Sequence, residues 1–189
     1  MNVLQVVKLP FSFRDGWNEV SAVHPSVWKT LLLIVAPFSL IPPLMLLYAG
    51  NHHAASYLID AAPARWQTAA ELFLIAELLT VPLMGLVIQA RAHKRGGTLA
   101  FKDAFLLAAL SAVPMWLSAL ALASSEPWVV AGAALFGLFV AANMLYHGSF
   151  RILKMSNPLE AQELSYQVFS VGALAWVMLC SLVAIPLIA

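Results

Sequence analysis

The sequence predicts an all-α protein: a polytopic membrane bundle of five transmembrane helices, preceded by an N-terminal interfacial amphipathic segment. Of the 189 residues, 62% are hydrophobic and only 10% are charged, whereas a soluble domain carries about 25% charged residues. The charged residues lie between long apolar runs rather than inside them. At ~1.5 Å of rise per residue, each of five such runs can cross a ~30 Å hydrocarbon core. A net charge of +1 gives no electrostatic support for nucleic-acid binding.

Residues 1–27 form the N-terminal segment, which is too polar to span a membrane. Aromatic residues beside charged ones suit the headgroup zone of a bilayer. We expect a short interfacial helix over about residues 14–23, with Trp17, Val20 and Val23 on one face. The alternative is a disordered cytosolic tail. No basic region followed by an apolar stretch opens the chain, so a cleaved signal peptide is not expected.

Residues 28–189 form the predicted transmembrane domain. Its spans are expected at about residues 28–49, 68–90, 105–123, 128–147 and 166–188. The first span contains Pro37, Pro42 and Pro43, each of which removes a backbone donor, so this helix should be bent. Asp103 suits the start of the third helix because an acid stabilises a helix N-terminus.

The distribution of lysine and arginine predicts the orientation. With a cytoplasmic N-terminus, only Arg65 lies outside. All the other lysines and arginines then lie inside: Lys8, Arg14, Lys29, Arg91, Lys94, Arg95, Lys102, Arg151 and Lys154. By the positive-inside rule, the N-terminus is cytoplasmic and the C-terminus periplasmic.

Several short motifs occur in a defined order along the chain. They are RDGWNEVSAVHPSVWK at residues 14–29, IPP at 41–43, a basic residue followed by two glycines at 95–97, AALSAVP at 108–114 and EPW at 126–128. In their order and spacing they resemble a bacterial member of the Yip (Ypt-interacting protein) family, over most of the chain. The sequence departs from the eukaryotic branch in lacking a DLYGP-type motif before the first span and a tyrosine in the AALSAVP segment.

The resemblance implies a five-helix, non-enzymatic protein of the bacterial inner membrane. The expected function is that of a scaffold or an assembly or trafficking-type factor, acting through contacts with lipids or with other membrane proteins, a second copy of the chain included. No cofactor is expected. Ser, His and acidic residues are present, but no phosphate loop, nucleophile elbow or HExxH helix groups them. His52, His53, Asp60 and Glu71 lack a fixed metal-ligand spacing, so no metal site is predicted.

Glu77 is the most informative polar residue. It lies nine residues after Thr68, ~14 Å into the second span and close to the middle of the bilayer. An acid there normally faces the bundle interior or a water cavity, and we expect Glu77 to be buried and uncharged at pH 7. By the same count of depth, Ser111 on the third span is its expected partner. A helix that begins nearer Leu72 would leave Glu77 shallower.

Two roles are possible for Glu77. As a protonatable site, it would make the chain a small transporter or channel with a midplane acid, which is the alternative to the scaffold. As a structural residue, it would only form a hydrogen bond to a neighbouring helix. A water-filled cavity that reaches Glu77 would favour transport, whereas a solid bundle with an exposed groove of small residues would favour the scaffold.

The fourth span has two further features. Asn143 and His147 lie four residues apart on one helical face, where they could line a polar inner cavity or pack at the interface. Ala133, Gly137 and Ala141 also repeat every four residues. Small residues at this spacing let helix backbones approach closely. We therefore predict a helix-packing face, used inside the bundle or in a dimer.

Overall fold

The computed structural model describes residues 24–94, 99–152 and 158–188, and these residues form helices and no strand. Five long helices result: α1 over Val27–His52, α2 over Pro63–His93, α3 over Phe101–Ser118 with a 3-10 extension Ala119–Ala123, α4 over Pro127–Arg151 and α5 over Pro158–Ile188. Each contains a stretch long and apolar enough to cross a membrane. The predicted fold class is confirmed. The proposed interfacial helix at 14–23 and the glycine motif at 95–97 lie outside the described residues.

Several helices are longer than the apolar spans that predict them. α2 begins at Pro63 rather than near residue 68, α4 continues past His147 to Arg151, and α5 begins at Pro158 rather than near residue 166. Proline suits the first turn of a helix because the donor it lacks would have no partner there. Hydropathy marks the part of a helix that fits the hydrocarbon core, and a helix can continue beyond it into the headgroup region.

The prolines of α1 coincide with its irregular segments. A π-helical turn over Leu31–Val35 comes just before Pro37, and the two later α-helical segments, Ala36–Ser39 and Ile41–His52, meet at Leu40. Because Pro37, Pro42 and Pro43 have no N–H, the regular ladder of backbone hydrogen bonds cannot continue through this part of α1.

Side-chain contacts tie together the two ends of the bundle. At one end, called the distal end here, the α1–α2 connection meets the α3–α4 turn. His53 Nε2 lies 3.0 Å from the carbonyl oxygen of Ala123, and the Tyr57 hydroxyl donates a hydrogen bond to the backbone carbonyl oxygen of Ser124. Partial burial raises the pKa of the Tyr57 hydroxyl. At the opposite end, called the basic end here, His24 Nδ1 lies 2.8 Å from Asp103 Oδ1 at the start of α3.

Among the described helices, α2, α3, α4 and α5 contact one another in a ring, and α1 packs on the outside of that ring. α3 packs on α2 and α4, and α5 packs on α2 and α4 from the other side, while α1 lies against α2 and α3. α3 is the most buried helix and α5 the least. One buried cluster surrounds α3. A second lies at the distal end and consists of Leu46, Ala49, Trp66, Ala69, Ala70 and Leu187.

Candidate functional site: a cavity inside the helix bundle

Glu77 lies at the middle of α2 and points into the bundle. α2 runs from Pro63 to His93, so the helix does not begin near Leu72. The residue is only 5% exposed. Its Oε1 accepts a hydrogen bond from the indole Nε1–H of Trp116, and its Oε2 has no hydrogen-bond partner among the described residues.

Trp116 on α3 is the partner that the sequence analysis missed. It is 2% exposed, and its ring stacks on Phe38 of α1 at 6.5 Å between ring centroids. A buried tryptophan usually directs its N–H to an acceptor. This rule could have indicated Trp116 as a hydrogen-bond partner of Glu77. Counting depth along the helix axis selected Ser111 instead, because such a count ignores the reach of a large side chain. The Ser111 hydroxyl donates to the carbonyl of Ala108 on its own helix.

Glu77 and Ser111 are nevertheless brought together, because both line one cavity of about 320 Å³. All five helices contribute to its walls, from Pro42 on α1 to Val183 on α5. Most of the lining is aliphatic or aromatic. The carboxylic acid and hydroxyl groups among the lining residues are those of Glu77, Thr80, Ser111 and Ser118.

The hydroxyl groups of this cavity donate to their own helices. Thr80 Oγ1 donates to Ala76 at 2.7 Å, and Ser118 Oγ donates to Met115 at 2.7 Å, as Ser111 does to Ala108 at 3.0 Å. Each hydroxyl proton is therefore engaged, while lone pairs on the oxygen atoms remain able to accept. No lysine, arginine or histidine occurs among the described residues that line the cavity.

The cavity is partly open, and α4 and α5 both contribute to its walls. Near the basic end the two helices are in contact, with Ser165 Oγ at 3.4 Å from Ser149 Oγ. Towards the distal end, Leu187 of α5 joins the cluster formed with α1 and α2, whereas Gly137 of α4 packs on α3. The exposed Cys180 is one of the lining residues between them.

The predicted small face of α4 lies inside the bundle. A Cβ atom on Gly137 would come within 3.0 Å of the Pro114 carbonyl oxygen and 3.1 Å of Ser118 Cβ, both on α3. Ala141 is buried and Ala133 is half-buried. Of the two uses left open by the sequence, the geometry of Gly137 corresponds to packing within one chain. The solid bundle with an exposed groove of small residues, expected of a scaffold, is therefore not found at this face.

Asn143 and His147 lie elsewhere on α4. Asn143 Nδ2 donates to the carbonyl of Phe139 one turn earlier at 3.0 Å, and the His147 ring meets that of Tyr146 edge-on at 5.3 Å between centroids. Neither is among the described residues that line the cavity. Across residues 24–94, 99–152 and 158–188, no three His, Cys, Asp or Glu side chains group closely enough to hold a metal ion.

A comparison with known protein families identifies the family of this chain. The sequence model of the Yip1 domain matches residues 7–185, which is nearly the whole chain. The chain belongs to the Yip1 domain family. The family resemblance carried by the ordered motifs is thereby confirmed. No curated protein and no solved structure matches the chain.

The matched region contains every residue that lines the cavity. The cavity is therefore built by the Yip1 domain itself rather than by an added segment. This Yip1-domain protein is a multi-pass membrane protein whose outer helix faces are apolar. Those faces contact lipid.

Proposed function

We propose that this Yip1-domain protein is a non-enzymatic scaffold or assembly factor that acts through lipid contacts, and that a lipid chain enters its central cavity. The observation that carries the proposal is the apolar cavity itself, about 320 Å³ in volume and lined by all five helices. Cavities of ~300–1,000 Å³ with mostly apolar walls are typical of small-molecule sites. In a bilayer, the apolar molecules that surround the protein are lipid chains.

A bound chain would couple lipid to the packing of the bundle. The cavity touches all five helices, so an occupant adds contacts between elements that otherwise meet only in part. α5 gains most from such contacts, because it is the least buried helix. A factor of this kind would respond to the lipids around it by holding α5 in one position.

Filling the cavity should expel the lipid chain. A Cβ on Gly172 of α5 meets only Met84 Cε, at an ordinary 3.5 Å, so Gly172→Leu can extend into the cavity without a backbone clash. We expect the variant to fold and to retain less lipid after purification in detergent, as counted by native mass spectrometry. Gly132→Leu on α4 is the matched control, because nothing lies within 4 Å of its Cβ. Equal lipid retention by both variants and the wild type would contradict lipid binding in the cavity.

The second candidate function is a small proton-coupled transporter or channel. One observation favours it: Glu77 lines the cavity near the middle of α2 and has an oxygen without a partner among the described residues. The apolar walls argue for the lipid-binding scaffold instead, because a path for water or ions needs polar groups along it. Proton flux in proteoliposomes that is lost in Glu77→Gln would favour transport.

We also propose the location and orientation that the basic residues predict: a bacterial inner membrane, with the N-terminus cytoplasmic and the C-terminus periplasmic. In a Cys180→Ala background, Ser56→Cys should react with an impermeant thiol reagent added outside intact cells, and Ala100→Cys should not. Both positions are exposed, and they lie at opposite ends of the bundle. Labelling of Ala100→Cys but not Ser56→Cys would invert the orientation.

Contacts with other membrane proteins, or with a second copy of the chain, belong to the same proposal. Such a partner would not use the small face of α4, because Gly137 already lies against α3. The size of the purified protein in a mild detergent, measured by light scattering, tests for the second copy.

A further inference from the structure

We infer that the cavity selects a single-chain neutral amphiphile that carries a hydroxyl group, a long-chain alcohol in chemical class, and that its hydroxyl forms a hydrogen bond to Glu77. The inference rests on the proposed lipid-binding function and adds the head group to it. Four observations support it: the missing positive charge, the state of the cavity's hydroxyl groups, the free oxygen of Glu77 and the cavity volume.

The charge pattern excludes an anionic head group. No lysine, arginine or histidine occurs among the described lining residues, and the one carboxylic acid among them is Glu77. A phosphate or carboxylate head would lie beside this acid without a partner, and burying an unpaired charge is strongly unfavourable. An uncharged head carries no such cost.

The hydrogen-bonding groups favour a hydroxyl over other neutral heads. Thr80, Ser111 and Ser118 have already donated their protons to backbone carbonyls, so they offer acceptors and no donor. A head group that donates is therefore complementary to this wall. A hydroxyl both donates and accepts, so it can pair with Glu77 whether the acid is protonated or not.

Glu77 has an unfilled position for this bond. Trp116 occupies one carboxyl oxygen, while Oε2 is buried without a hydrogen-bond partner among the described residues. Buried polar atoms are nearly always paired, so an orphan of this kind calls for an explanation. Because Oε2 is itself buried, the bond requires the carboxyl group to rotate towards the cavity that Glu77 lines, and the terminal torsion of a glutamate is broad enough to permit this. A ligand hydroxyl at that point supplies the missing bond.

The volume favours one chain. At about 320 Å³ the cavity lies at the lower limit of the ~300–1,000 Å³ range of small-molecule sites. A phospholipid has two chains and a charged head, and fits neither the space nor the wall. With its hydroxyl at Glu77, a single chain can run along Ala134 and Leu138 of α4 and Trp176 of α5, which also line the cavity.

The test compares four probes with similar chains: oleyl alcohol, oleyl sulfate, oleylamine and octadecene. Binding to the full-length protein in detergent is measured by native mass spectrometry over a concentration series. We expect oleyl alcohol to bind about tenfold more tightly than octadecene, the scale of one well-placed hydrogen bond in an apolar site. Oleyl sulfate should bind more weakly than either. Tighter binding of oleylamine or oleyl sulfate than of oleyl alcohol would overturn the inference.

A paired variant separates the head group from the chain. The double variant Glu77→Leu with Trp116→Phe replaces both hydrogen-bonding partners by apolar groups, which leaves no orphaned polar atom behind and should preserve the fold. It should lose most of the preference for oleyl alcohol over octadecene, and keep only what the hydroxyl oxygens of Thr80, Ser111 and Ser118 provide. Glu71→Gln, an exposed change on the same helix, should keep the preference for the alcohol.

Different results would overturn the role of Glu77 and the lipid-binding function of the cavity. Equal binding of all four probes to the wild type, with no change in the double variant, would overturn the role of Glu77 and leave chain binding in place. Failure of every probe to bind, or binding that is unaffected by Gly172→Leu, would overturn the lipid-binding function itself.

Discussion

Gly137→Leu is expected to disrupt the packing of α4 on α3 and to lower the melting temperature of the protein in detergent. A Cβ at this position would lie 3.0 Å from the carbonyl oxygen of Pro114 and 3.1 Å from Ser118 Cβ. The first of these neighbours is backbone and cannot move aside as a flexible side chain can, so the two helices have to separate. Overpacking of a tight contact costs ~1–3 kcal/mol, and a leucine adds three further heavy atoms to the clash.

The control for this variant lies on the same helix. Gly132→Leu makes the same chemical change where nothing lies within 4 Å of the new Cβ, so the loss of helix-interior glycine is common to both. We expect Gly132→Leu to melt at the wild-type temperature or above it, since leucine is the better helix former. Equal melting temperatures for both variants would show that the small face of α4 is not a close-packed contact.

Trp116→Ala is expected to be the most destabilising single truncation near the cavity. The side chain is 2% exposed, stacks on Phe38 and donates its N–H to Glu77. Truncation of a buried tryptophan typically costs ~3–5 kcal/mol through lost packing and the void left behind. It also leaves both carboxyl oxygens of Glu77 without a partner among the described residues, which adds a desolvation cost.

Three further variants separate the causes of the stability loss expected for Trp116→Ala. Trp116→Phe retains most of the ring and removes the N–H, so it isolates the hydrogen bond. Glu77→Gln should be nearly silent in stability, because an amide oxygen accepts from the indole as a carboxyl oxygen does. Trp128→Ala, at a residue that is 85% exposed, serves as the control for tryptophan removal. If Trp116→Ala melts at the temperature of Trp128→Ala, the contact between α2 and α3 at Glu77 is not an important one.

The number and order of helices could be predicted from hydropathy because each apolar run must cross a layer of fixed thickness. The helix ends could not: Pro63 begins α2 five residues before the apolar run, since a helix that has left the hydrocarbon still satisfies its own backbone. The burial of Glu77 followed from the cost of placing an acid in lipid. Its hydrogen-bond partner could not be predicted in this way, because a count of depth along the helix axis says nothing of the direction in which the Trp116 side chain points.

The cavity itself is a property of helix arrangement that periodicity does not contain. Gly172 on α5 and Ala134 on α4 both line the cavity. Gly137, also a small residue on α4, lies against α3. Whether a small residue marks a close contact or a gap depends on the distance to the next helix, which is set by contacts elsewhere, such as those of Leu187 at the distal end.

The most direct test of lipid binding is an experimental structure of the protein in a lipid bilayer, examined for density between α4 and α5. We predict elongated density in the cavity, running along Ala134 and Trp176, with one end within hydrogen-bonding distance of the Glu77 carboxyl group. A cavity closed by packing of α5 on α4, or one that holds only water reaching Glu77, would contradict lipid binding. The water-filled result would favour the transporter instead.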